Sequence, residues 1–122
     1  MPVITTQNAH MVHATIRLVL SPGNAREALD VLRPVAERTR IEPGCISCRI
    51  YRDVQQDHAI MLEESWAGQA DLQRHLRSSD YQRILLVVEM AKGHPEIRFD
   101  EVLRSSGFET IAGARSHADE TP

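Results

Sequence analysis

Apolar and polar residues alternate from Val12 to Leu20, placing Val12, Ala14, Ile16, Leu18 and Leu20 on one side of an extended chain. That period of two predicts a strand over 12–21. Pro22-Gly23-Asn24 then turns the chain, and the spacing changes. Ala25, Ala28, Leu29, Leu32, Val35 and Ala36 recur at helical intervals, and Asn24 with Glu27 forms a capping pair, so a helix is predicted over 25–40. Pro34 lies inside that stripe, has no N–H to donate, and is expected to kink the helix rather than end it.

"IEPG" at 41–44 breaks the pattern, and a second strand follows over about 45–53 with Ile46, Cys48 and Ile50 on one face. "VQQDH" is a polar turn, and "AIMLEESW" (59–66) is the third strand. A short helix over about 68–77 aligns Leu72, His75 and Leu76. Ser79 and Gln82 are spaced as a capping box for a helix reaching about Ala91, which "KGHP" stops. "EIRFDEVLR" (96–104) alternates again, with Ile97, Phe99 and Leu103 together. Beyond it, one weak helical turn is expected around 107–113 before a disordered tail. The order β-α-β-β-α-α-β predicts an α+β, ferredoxin-like domain with an antiparallel sheet. It spans 12–104, between a mobile N-terminal arm (1–11) and a C-terminal extension (105–122).

At 122 residues the chain has room for one core, and its formal net charge of -3, with Lys and Arg scattered singly, gives no footprint for nucleic acid or anionic lipid. The longest apolar run, "ILLVV", is too short to span a bilayer, and the first ten residues lack the zones of a signal peptide, so a cytoplasmic protein is expected. Cys45 and Cys48, three apart on a strand, would point to opposite faces with Cα atoms roughly 10 Å apart, so they read as free thiols. The sheet face turned away from the helices would carry His13, Arg17, Val19, Arg49, Tyr51, Met61, Glu63, Arg98 and Val102. That mixture is too apolar for open solvent and suits a homodimer with sheet against sheet.

The inward face holds the chemistry. Ile60, Leu62, Glu64 and Trp66 share one side of the third strand, so Glu64 is aimed at the core, where a lone carboxylate is costly. His75 lies on the buried stripe of the next helix, and Asp71 one turn before it could orient the imidazole. Tyr81 enters from the following helix. Each residue also has an ordinary structural reading: a satisfied core histidine, a glutamate meeting a backbone N–H or an arginine, a core tryptophan. Six histidines without an HxH or HExxH pair argue against a metal, and no Gly-rich phosphate loop or GxSxG is present.

The runs "ATIRLVLSPGN", "EPGCISCRIYRD" and "IMLEESWAGQADLQRHLRSSDY" resemble the antibiotic biosynthesis monooxygenase family over about residues 12–104. The resemblance implies a dimeric α+β barrel. Its quinol-oxidising members use no metal, flavin or nicotinamide: an ionised hydroquinone in a dry pocket passes an electron to O₂ itself. It further implies His75 and Glu64 as the catalytic pair, with Trp66, Tyr81, Leu72, Leu85 and Ile16 lining the substrate site. Haem-degrading relatives place a His and an Asn where this chain has Leu85 and Ile16, so haem degradation is not expected. The expectation is a cofactor-independent monooxygenase of a small quinol-like or polyphenolic compound. The alternatives are a small-molecule isomerase or tautomerase, or a ligand-binding dimer without chemistry.

Overall fold

The computed structural model describes residues 10–118, so residues 1–9 of the expected N-terminal arm and the last residues of the tail lie outside the described part, and Met11, assigned to the arm, instead opens the first strand. The elements are β1 (Met11–Val19), α1 (Pro22–Arg40), β2 (Cys45–Arg52), β3 (Ala59–Trp66), α2 (Gln69–Leu76), α3 (Ser79–Val88), β4 (Glu96–Val102) and α4 (Phe108–Ala118). The strands form one sheet in the order β2-β3-β1-β4 with every neighbouring pair antiparallel. This is the α+β, ferredoxin-like arrangement that the alternating patterns require. Burial alternates along β1 and β3, and their inward residues meet Ala28, Leu32, Val35 and Ala36 of α1 and Tyr81, Ile84 and Val87 of α3 in one apolar core. Among the described residues no helix is long and apolar enough to cross a membrane.

Local chemistry shifts several boundaries. α1 begins at Pro22, three residues before the expected start, with Ser21 at the cap position and no side-chain capping bond. Proline suits this place because the first helical N–H has no partner to lose. Pro34 stays inside the continuous helix. The cap of α3 is Ser78, not Ser79: its Oγ accepts from Tyr81 N at 3.1 Å, while its hydroxyl donates to His75 O at 2.7 Å. One serine thus closes α2 and opens α3.

β2 departs most from its pattern. A bulge sets Cys45 opposite Trp66 but Ser47 opposite Ser65, so Ile46 is pushed out of the ladder and is 58% exposed. Cys48 returns to the inward face and is buried. Both cysteines are free. In β4, Ile97 and Phe99 do lie on the helix side, opposite Ile16 and Ala14, yet no helix covers them, and Leu103 falls beyond the strand. The C-terminal helix α4 is longer than the single turn expected there.

Candidate active site

β3 runs between β1 and β2, and its inward parity is fixed by Ile60 and Leu62. Glu64 follows on that face, opposite Ala14 and Cys48, two small neighbours that leave space for a carboxylate. Trp66 ends the strand with none of its surface exposed. The chain turns through Ala67 and Gly68 into α2, whose buried stripe of Leu72 and His75 falls back over Trp66. Glu42 comes from the turn between α1 and β2. Gly44 in that turn has φ +80°, and a Cβ there would collide with the Asp71 carboxylate, so the turn presses close against α2. Arg74 fastens it by donating to Pro43 O at 2.6 Å and to Asp71 Oδ1 at 2.7 Å.

These elements bring two carboxylates onto one imidazole. Glu64 Oε1 accepts from Trp66 Nε1 at 2.9 Å, and Oε2 lies 3.2 Å from His75 Nε2. On the other edge of the ring, His75 Nδ1 is 3.0 Å from Glu42 Oε2 and 3.2 Å from Oε1. The His75 ring lies on Trp66 at a centroid distance of 4.7 Å with a 31° tilt, and Tyr81 meets it edge-on at 5.3 Å. His75 is wholly buried and Glu64 nearly so, whereas the Glu42 side chain keeps 22% of its surface in solvent. The triad therefore runs from the core to the surface.

A neutral imidazole has one N–H and satisfies only one carboxylate; the imidazolium donates to both. Burial alone pulls the His75 pKa down, but the hydrogen bond and charge of Glu64, followed by those of Glu42, outweigh it and leave the pKa raised above 6.5. The three groups then carry a net charge of about -1 in a largely dry setting. That charge helps to keep neighbouring acids protonated: burial first, then Glu64, pushes Tyr81 up to about 12 and Cys45 up to about 11. The Cys48 thiol is driven higher still by the same two causes. Neither thiol is an activated nucleophile.

The structure thus gathers Glu64, Trp66, Leu72 and His75, with Tyr81 at the ring edge. Ile16 lies one layer along the sheet, where it lines an apolar cavity with Leu18, Leu32, Ile60, Leu62, Ile84, Val87 and Val88. At about 10 Å³ that space holds no more than a water. Leu85 is 40% exposed. Asp71 does not orient His75, because Arg74 three residues on takes its carboxylate. Glu42 has that role, and sequence reasoning missed it; its only signal was a glutamate directly before the Pro-Gly turn. A roomier groove of about 840 Å³ lies beside the β2–β3 turn, among Arg26, Arg33, Arg52, Asp53 and His58, and none of the triad lines it. Among the described residues no group of three or more His, Cys, Asp or Glu is arranged to hold a metal.

Residues 11–85, which include both strands flanking Glu64 and all of α2, match the family described as antibiotic biosynthesis monooxygenase. The chain belongs to the antibiotic biosynthesis monooxygenase family. A curated relative, an uncharacterized protein of Synechocystis sp., is 30% identical over 59 residues, which are 48% of this chain and 40% of the relative. The chain thus matches less than half the length of that relative. Among solved structures, a candidate antibiotic biosynthesis monooxygenase from Caulobacter crescentus superposes with a TM-score of 0.71 at 19% identity, over 79% of this chain and 92% of its own. A conserved protein of unknown function from Bacteroides thetaiotaomicron, described as a possible oxidoreductase, gives 0.71 at 17% identity over 77% and 99%. At these identities the likeness is one of fold. It places the chain's β-α-β-β-α-α-β core within the architecture of this monooxygenase family, while the family match itself, residues 11–85, ends within α3 and leaves β4 and α4 outside.

Proposed function

We propose that the protein is a cofactor-independent monooxygenase that oxidises a small quinol-like or polyphenolic compound with O₂. One observation carries this beyond family membership: the buried His75 ring is held between the carboxyl groups of Glu64 and Glu42 against the aromatic wall of Trp66, and with the imidazole protonated such a triad has a net charge of about -1. Such a triad is a proton sink, because taking one proton from a bound phenol makes it neutral. The proton belongs to the group as a whole, with Glu64 on the inner side, His75 between, and Glu42 leading to solvent. The phenolate left behind is electron-rich and reduces O₂. One oxygen atom enters the ring, the other leaves as water, and the quinol supplies all the electrons. A hydroquinone with O₂ therefore balances to a hydroxyquinone and water. Trp66 and Tyr81 would form the wall, with Leu72, Ile16 and Leu85 along the approach.

Substrate needs more space than the closed interior offers, so α2 and α3 must part from the sheet to admit it. The same closure favours a second reading, in which the triad only ties the α1–β2 turn, β3 and α2 together in a ligand-binding dimer. Oxygen uptake over a panel of hydroquinones separates them. Consumption of O₂ in step with quinol loss, without added metal or cofactor, supports the oxygenase. Substrate isomerisation without O₂ uptake points to an isomerase, and a thermal shift alone to a binder.

We also propose a homodimer through the outer sheet face. His13 and Glu63 pair there at 3.1 Å with Tyr51 3.4 Å from Glu63, and Val19, Met61 and Val102 are only half-buried in the single chain.

A further inference from the structure

Two apolar surfaces at the C-terminal end of the fold are left largely uncovered by the described residues of one chain. The first is the helix side of β4. Ile97 and Phe99 stand there with Glu101, in register with Ile16, Ala14 and Val12; β4 packs mainly on β1, Gln69 of α2 donates to Glu101 Oε1 at 3.2 Å and leaves Oε2 for another partner, and Ile97 and Phe99 are both 45% exposed. The second is α4, which has no extensive packing on the sheet or the other helices among the described residues and leaves Phe108 76% and Ile111 53% exposed. Eleven residues with Gly113 in the middle make a marginal helix in water, so α4 needs a surface to be stable.

The two surfaces match in only one direction. Phe108, Ile111 and Arg115 lie on one stripe of α4, over about 10 Å. Ile97, Phe99 and Glu101 lie on one face of β4, over about 13 Å. With helix and strand parallel, Phe108 and Ile111 cover Ile97 and Phe99, and Arg115 reaches Glu101. The chain's own α4 cannot take that orientation easily. It leaves β4 through residues 103–107, and folding straight back would run it antiparallel, with Phe108 beside Glu101 and Arg115 beside Ile97. The short connection is instead used to start the helix, with Gly107 N donating to Glu109 Oε1 at 2.6 Å.

We propose that α4 docks on β4 of a second copy of this chain, with Arg115 of one copy paired to Glu101 of the other. The exchange is reciprocal, so each dimer closes two such contacts. It lies on the helix side of β4 and is separate from any association through the outer sheet face.

Charge reversal and mixing test this directly. Arg115→Glu and Glu101→Arg each place like charges across both contacts and should each weaken the homodimer about tenfold or more in sedimentation. Mixed together, the two variants form heterodimers in which one contact pairs the native Glu101 with the native Arg115. The other contact pairs the two substituted side chains, which are again opposite in charge. Native mass spectrometry of the mixture should therefore show heterodimer far above either homodimer at the same dilution. A truncation after Arg104 should weaken the dimer as well and abolish that preference. Three results would overturn the proposal: a monomeric wild type at tens of micromolar, an Arg115→Glu homodimer as tight as wild type, or a mixture with no excess of heterodimer. The last, with stability restored in the Glu101→Arg, Arg115→Glu double variant alone, would assign α4 to its own β4.

Discussion

At the scale of the residue, His75 ties two carboxyl groups together and, under the proposed oxygenation, relays the proton between them. Its pKa is raised in the folded chain: burial opposes the charge, but Glu64 and Glu42 prevail. The resulting stabilisation is complete below the unfolded value near 6.5 and is lost as pH rises through the raised folded value. Wild-type melting temperature should therefore fall from neutral toward alkaline pH more steeply than that of His75→Gln. Burial pushes Cys45 up to about 11 and Tyr81 up to about 12, so neither loses its proton near neutral pH. Equal slopes for the two proteins would remove the imidazolium from the account. Glu64→Gln keeps an acceptor for Trp66 Nε1 but removes the carboxylate, and it should slow turnover by about 10²–10⁴-fold with the fold intact. A Glu64→Gln rate within a few fold of wild type would show that the inner carboxylate takes no proton. The convergence of Glu64, Trp66 and His75 was legible because strand and helix periodicities assign each side chain a direction. Glu42 was not, since a turn has no period, and Asp71 was the nearer carboxylate until Arg74 claimed it.

At the scale of the element, the α1–β2 turn and the junction of α2 with α3 position the triad. Gly44 combines a left-handed backbone with a closed approach to Asp71. Gly44→Ala should cost at least about 1–2 kcal/mol by denaturant melting and should displace Glu42, flattening the alkaline loss of stability as well. An unchanged midpoint would mean that the turn relaxes without consequence. Strand boundaries followed from alternation wherever the ladder is regular, as in β3. The bulge between Cys45 and Ser47 broke that logic: alternation counts residues, and a bulge spends one without advancing the register, which is why Ile46 reads as inward yet faces out. Ser78 and Ser79 are adjacent and both able to cap, and only the backbone bend after His75 selects the first.

At the scale of the whole molecule, the order of strands and helices was legible from pattern alone, because seven short elements with clear breaks leave few ways to cover one sheet. What covers the exposed faces was less so, since a surface half apolar and half charged specifies its partner only by shape. If the outer sheet faces meet, Met61→Asp should weaken the dimer by several kcal/mol, because it buries an unpaired carboxylate. A dimer of unchanged affinity by sedimentation would move the interface elsewhere. The central claim is that this triad serves an oxygenation in which O₂ itself is the oxidant. The most direct measurement is mass spectrometry of the product formed under isotopically heavy dioxygen in metal-chelated buffer, using a hydroquinone that the protein consumes. The account predicts one heavy oxygen atom in the product, together with heavy water. Product that forms at the same rate without dioxygen, or that carries no heavy atom before exchange with solvent, would contradict it.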